Sequence, residues 1–234
     1  MKFDSVLIDQ YLNKIFPLPQ HFGISYLKED GLGIMDTLLE KLTSLDPGVT
    51  IDYGISKMVI ISPILDVVIK IPFSGYFNDD FDEEATDDYW NDFLFAEEPD
   101  HNDYCFSEYR KYRTLKKKKL NCFVAKTVYY TTIDGVRIFL QEKVTPCAYL
   151  KKDSYKPSVK SYKIASNLCK ENSLSINLEW TANCIDKYGK HKVKKFLSYC
   201  RDVDTNILAD MHSGNFGYRK DGTPVLLDFS NYLE

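Results

Sequence analysis

Two spacings of apolar residues divide this chain. Apolar positions recur at helical intervals over 5–15 and again over 33–44, where Asp46-Pro47-Gly48 breaks the pattern. Short Ile- and Val-rich runs follow at 51–54, 57–62 and 66–71. They are punctuated by Gly54-Ile55-Ser56 and Ser62-Pro63 and predict three consecutive strands. Helical spacing returns over 103–118, with Cys105, Tyr109, Tyr112 and Leu115 on one face and Glu108 beside it. Two more strands are predicted at 123–130 and 136–144, around the hairpin signature Ile133-Asp134-Gly135. Helices are then predicted over 158–170, 177–188 and 192–209. The last of these aligns Val193, Phe196, Leu197, Cys200, Val203 and Ile207 as a core stripe. A hairpin closes the pattern. It starts at Tyr218, turns at Lys220-Asp221-Gly222-Thr223, and its second strand, Val225-Leu226-Leu227, delivers Asp228.

The order of elements predicts an α+β protein in three stretches. These are a helical N-terminal extension (1–49), an antiparallel-sheet lobe with one helix (50–145) and a mostly helical segment (146–234). With 234 residues, 44% of them hydrophobic, the chain can bury an ample core and does not have the composition of a disordered segment. No apolar run approaches bilayer-spanning length, and Met1-Lys2-Phe3-Asp4 does not open a signal peptide, so no membrane partner is expected. The six cysteines contain no C-x-x-C and the four histidines are scattered, which points away from zinc and from a disulfide framework. A reduced, cytoplasmic protein is expected.

Charge adds a feature that hydropathy does not show. Residues 79–100 carry eleven acids and no Lys or Arg, which leaves the rest of the chain at +7. Seven basic residues follow between Arg110 and Lys119. Blocks of like charge are usually solvated faces. That reading comes first here; the aromatics interleaved with the acids (Phe77, Phe81, Tyr89, Trp90, Phe93, Phe95) suggest as the alternative that the insertion at 75–102 packs on itself, or docks a protein partner through 77–100. No aromatic-basic nucleic-acid motif accompanies the basic run, so nucleic acid is not an expected partner.

The residues that suggest chemistry lie near the C-terminus. Asp210-Met211-His212-Ser213-Gly214-Asn215 has the compactness of a loop, with Ser213-Gly214 allowing a tight turn, and Asp228 follows thirteen residues after Asn215. Two carboxylates and an amide suit phosphoryl transfer, in which a hydroxyl is oriented and Mg²⁺ is held by hard oxygen ligands. The same pattern is compatible with a hairpin bearing two solvated acids. Asp210-x-x-x-x-Asn215 followed by Asp228 resembles the catalytic loop and metal motif of the protein-kinase-like superfamily. The inner D-M-H-S-G-N is similar to the D-x-H-P-G-N of its aminoglycoside phosphotransferase and UbiB-like branches. The resemblance implies that Asp210 orients the acceptor hydroxyl and that Asn215 and Asp228 hold Mg²⁺.

Further parts of that machinery occur upstream in the expected order. Lys70 ends the apolar run Val67-Val68-Ile69, where an unpaired ammonium is costly. It resembles the V-A-I-K lysine that grips ATP phosphates. A lysine at a strand end also commonly snorkels to water. Glu108 would be its partner, the alternative being an i,i+3 pair with Lys111. Gly54 and Ser56 would form the phosphate-covering turn. The stretch Phe139-Leu140-Gln141-Glu142-Lys143-Val144 resembles a kinase hinge, with Gln141 as gatekeeper and the backbone at Glu142 and Val144 contacting adenine. The implied fold is two-lobed, with an antiparallel-sheet N-lobe and a reduced helical C-lobe.

There are departures from the family pattern. Leu208-Ala209 stands where kinases carry His or Tyr before the aspartate, Ser230 replaces a glycine, and the chain stops six residues after Asp228. Two functions are therefore expected as alternatives. One is an ATP- and Mg²⁺-dependent phosphotransferase. The other is a catalytically weak, kinase-like module that regulates or inhibits a partner.

Overall fold

The computed structural model describes residues 3–18, 34–53, 56–72, 104–151, 154–172, 176–208 and 211–229. The protein is α+β and divides into two compact units, residues 1–109 with 127–143, and residues 110–126 with 144–234. Among the described residues there are six α-helices: α1 Ser5–Ile15, α2 Ile34–Thr43, α3 Tyr104–Lys117, α4 Val159–Asn172, α5 Leu178–Tyr188 and α6 Lys190–Asp202. The strands are β1 Thr50–Tyr53, β2 Lys57–Ile61, β3 Val67–Pro72, β4 Thr127–Ile133, β5 Val136–Glu142, β6 Thr145–Pro146, β7 Phe216–Tyr218 and β8 Pro224–Leu226. The boundary between the units falls inside α3.

The first unit is built on a five-stranded antiparallel sheet, ordered β1-β2-β3-β5-β4. Alternation along the strands sorts its two faces. Met58, Ile60, Val67, Ile69, Ile71, Ile138 and Leu140 form one core with Ile8, Tyr11, Leu12 and Ile15 of α1 and with Leu38 and Leu42 of α2. The α1 stripe follows the i, i+3, i+4, i+7 rule, and Asp4 caps the helix by accepting the Leu7 amide at 3.1 Å. A buried polar knot ties α1 to the rest of the unit. The Tyr11 hydroxyl donates to Asp46 Oδ2 at 2.9 Å, and the Ser62 hydroxyl reaches the same oxygen at 2.6 Å. The β4–β5 turn uses Asp134 and Gly135 at φ +49° and +81°, the left-handed pair that a two-residue hairpin requires.

In the second unit, α4, α5 and α6 pack around Trp180, Phe196, Leu197 and Phe123. Residues 121–123 form a short 3-10 turn, and the strand expected from residue 123 begins only at Thr127. Phe123 stacks on Phe196 at a centroid distance of 4.3 Å, so its apolar character serves a helical core. The expected helix through residue 209 ends at Asp202. Val203 leaves helical geometry at φ −127° and is 64% exposed, and a 3-10 turn over Thr205–Leu208 returns Ile207 and Leu208 to the core. A three-stranded antiparallel sheet, β6-β7-β8, completes the unit. All six cysteines are free thiols. Among the described residues, no helix is long and apolar enough to cross a membrane.

Candidate functional site

Two clusters bring sequence-predicted residues together, one in each unit. In the first unit they lie on the sheet face opposite the α1–α2 core. Register places Lys70 opposite Val59 on β2 and opposite Phe139 on β5, while Gln141 lies opposite Thr127 on β4. Strand alternation therefore aims Lys57, Lys70, Phe139, Gln141 and Thr127 to one side. The first turns of α3 cover this face through aromatic contacts. Phe106 and Tyr109 meet the Phe139 ring at 6.4 and 6.0 Å, and Arg137 sits 4.2 Å over Phe106.

Glu108 projects from the same turns and is fully buried. Its Oε2 accepts from Lys70 Nζ at 2.7 Å. Its other oxygen, Oε1, accepts from Lys57 Nζ at 2.6 Å. Gln141 donates from Nε2 to Thr127 Oγ1 at 3.1 Å and to Glu108 Oε2 at 3.4 Å. One buried carboxylate thus serves two ammonium groups and an amide, which compensates much of the cost of placing charge in a low-dielectric interior. The i,i+3 pairing of Glu108 with Lys111 is not what forms. Lys111 instead lies 3.4 Å from Asp204 within the second unit. Lys57 is the residue that sequence reasoning missed. Its signal, a lysine opening an apolar strand, acquires meaning only with the β2–β3 register.

The remaining first-unit candidates are placed as follows. Ser56 is buried directly before β2, whereas Gly54 lies outside the described residues. Glu142 ends β5 opposite Val67, and the Lys143 amide donates to the Asp66 carbonyl at 3.2 Å. Val144 is the first residue of the chain's return to the second unit. The acidic aromatic insertion at 77–100 also lies outside the described residues.

In the second unit, the β7–β8 hairpin assembles the other cluster. Phe216 pairs with Leu226, so Asn215 and Leu227 stand one step beyond the paired strands. The Asn215 carbonyl accepts the Leu227 amide at 2.8 Å and the Asp228 amide at 3.4 Å, which brings Asn215 and Asp228 side by side. The preceding loop is pinned. The Asn215 amide donates to the His212 carbonyl at 2.9 Å, the Gly214 amide to His212 Nδ1 at 3.0 Å, and the Ala148 amide to the Ser213 carbonyl at 2.9 Å. Gly217 allows β6 to approach, since a Cβ there would lie 2.3 Å from the Thr145 carbonyl oxygen. At the far end of the hairpin, Gly222 takes φ +77°. The Asp221 carboxyl is held down to about 2 by hydrogen bonds from the Thr223 hydroxyl and amide, with Lys187 assisting. Tyr218 stacks on Tyr155 at 4.3 Å and accepts from Asn183 at 2.8 Å. Burial pushes its phenol pKa upward and keeps it neutral. Asp210 lies outside the described residues.

The backbone places Asn215 and Asp228 side by side, and an amide oxygen and a carboxylate are hard donors. Among the described residues, no group of three or more His, Cys, Asp or Glu could hold a metal ion. Mg²⁺ is compatible, because it keeps several waters and needs only one or two protein carboxylates beside substrate phosphates. Compared with protein-family models and with curated protein sequences, the chain matches none.

Proposed function

We propose that this chain is a kinase-like, ATP- and Mg²⁺-binding phosphotransferase that moves the γ-phosphate to a hydroxyl acceptor. The observation that carries the reading is the buried Lys70–Glu108 pair at 2.7 Å, joining a sheet lysine to a glutamate on the next described helix. The Asn215–Asp228 hairpin, in the chain order of the same machinery, is the second support.

In this reading, Lys70 holds the α- and β-phosphates while Glu108 fixes the lysine's position. Asp210 orients the acceptor hydroxyl and takes its proton. Asn215 and Asp228 supply the oxygen ligands for Mg²⁺. Mg²⁺ held there would supply electrostatic stabilisation of the charge that develops during transfer. The fold implied is the two-lobed kinase-like one, with the five-stranded sheet as core of the N-lobe and the helical second unit as a reduced C-lobe. Gln141 takes the gatekeeper position, and the backbone at Glu142 and Val144 contacts adenine.

Thermal shift with Mg-ATP tests this. A ligand at about one hundred times its dissociation constant stabilises the folded state by about 2.7 kcal/mol. The wild type gains a clear rise in melting temperature, and Lys70→Ala and Asp228→Ala lose it. Radiolabel transfer that disappears in Asp210→Ala then identifies an enzyme rather than a binding module. No shift at millimolar Mg-ATP would overturn the reading in favour of a regulatory module.

A further inference from the structure

The basic run at 110–119 takes no part in the proposed chemistry, and the fold of the second unit gives it a neighbour. Lys111 lies 3.4 Å from Asp204, and Lys118 sits 5.5 Å over the Tyr199 ring. Lys192 sits 5.7 Å over the Tyr188 ring, whose hydroxyl donates to the Cys122 carbonyl at 2.7 Å. These contacts ascend along α3 and the turn after it while descending along α6, so the two segments run antiparallel. The four lysines at 116–119 therefore lie alongside the first two turns of α6, which carry Lys190, Lys192, Lys194 and Lys195. Seven of the eight are exposed and Lys192 is half-buried. Among the described residues only Lys194 of the eight meets a carboxylate, Glu171 at 3.8 Å.

Helix stability does not account for this charge. The helix dipole favours lysines at the end of α3 but opposes them at the start of α6. That start has no acid in its first turn and no side-chain cap, and Lys190 and Lys194 repel each other at i,i+4. The second unit as a whole holds 22 of the 30 basic residues against 10 of the 34 acids.

We infer that the α3–α6 surface binds duplex nucleic acid through its phosphate backbone, independently of the phosphotransferase reading. The class of partner follows from what the surface lacks. Among the described residues, no large apolar side chain is exposed over 110–126 or 188–202. A protein partner needs such anchors at the centre of its interface, and a helix lying on a membrane inserts them. Single strands need exposed aromatic platforms on which bases stack. Exposed lysines by themselves suit phosphate contacts, which carry affinity without reading sequence. The sequence alone discounted nucleic acid for want of an aromatic motif, and backbone contact to a duplex requires none.

Fluorescence anisotropy of a labelled DNA duplex of arbitrary sequence, titrated with the full chain over about 0.05–0.2 M salt, tests this. The wild type binds with a dissociation constant of about 1–100 μM at physiological salt, and its affinity falls as salt rises. Lys117→Gln with Lys118→Gln, and separately Lys194→Gln with Lys195→Gln, each weaken binding by about tenfold or more. Each pair also flattens the log–log salt slope by about 2, close to one unit per lost phosphate contact. Lys14→Gln with Lys41→Gln, a pair in the first unit, leaves affinity within about twofold of wild type. All six side chains are exposed, so the variants keep their fold. No binding by the wild type overturns the proposal, as does a lysine pair of α3 or α6 whose loss changes neither affinity nor slope. A first-unit pair that weakens binding equally overturns it too. Polyglutamate, anionic vesicles or single-stranded DNA competing as well as unlabelled duplex would assign the surface to another partner and overturn the duplex reading.

Discussion

Glu108→Gln is the sharpest perturbation of the first cluster, because it removes one charge and almost no volume. In the native protein the carboxylate is fully buried and receives ammonium groups at 2.6 and 2.7 Å. Removing one partner of a buried ion pair costs about 3–5 kcal/mol, since the other charge keeps its desolvation penalty. Here two lysines lose that partner, yet the glutamine oxygen still accepts from one of them, so the expected loss is about 3 kcal/mol. For a chain of this size each kcal/mol moves the midpoint by roughly 2–4 °C, giving a fall of about 6–12 °C. Urea unfolding followed by far-UV circular dichroism, without nucleotide, reads the loss directly. The pairing argument also demands coupling. In a Lys70→Met background the cost of Glu108→Gln should shrink by more than about 1 kcal/mol, because one of the two charges facing the carboxylate has gone. A single-variant loss below about 1 kcal/mol, or strict additivity with Lys70→Met, would refute the reasoning.

Further outcomes are expected at Asp46 with its partners and at Gly217. Tyr11→Phe should cost about 1 kcal/mol and Asp46→Ala about 3 kcal/mol in urea unfolding, because Asp46 accepts from the Tyr11 and Ser62 hydroxyls and the Gly48 amide. Burial raises the Asp46 pKa, but hydrogen bonds from Ser62, the Gly48 amide and Tyr11 outweigh it and leave the folded value below the ordinary one. The carboxylate's contribution is therefore fully present above the unfolded value of about 4 and is lost as pH falls through the folded value. The stability gap between wild type and Asp46→Asn should accordingly narrow below pH 4, and an unchanged gap at pH 3 would contradict the assignment. Gly217→Ala places a methyl 2.3 Å from the Thr145 carbonyl oxygen and should destabilise by about 1–3 kcal/mol as β6 is forced from β7. It should also weaken the Mg-ATP thermal shift, since Asn215 stands two residues away. A variant as stable as wild type, with its shift intact, would show that the close approach is dispensable.

Most local structure was legible in the sequence. The expected helix at 5–15 is α1 to the residue, because Asp4 caps it and its stripe has an unambiguous period. The expected strands at 51–54, 57–62 and 66–71 fall within one residue of β1–β3 at each end, because Ile/Val runs bounded by Gly and Pro have few alternatives. The failures came where a short apolar run had two uses. Phe123 reads equally well as strand or core plug, and only packing against Phe196 decides it. Val203 continues a helical stripe on paper, yet the helix stops before it.

The candidate sites divide along the same line. The order of the motifs singled out Lys70, Glu108, Asn215 and Asp228, of which only Lys70 and Asp228 end apolar runs. The β7–β8 register that sets Asn215 beside Asp228 followed from a hairpin signal within a dozen residues. Lys57 could not be found that way. Its meeting with Glu108 joins residues 51 apart in sequence, and it exists only because β2 pairs with β3 in one register while α3 covers the lysine-bearing face. Local pattern determines which elements form and which face of each is apolar. Strand register and helix docking decide which buried charges meet, because a shift of one residue in register would turn Lys57 to the opposite face.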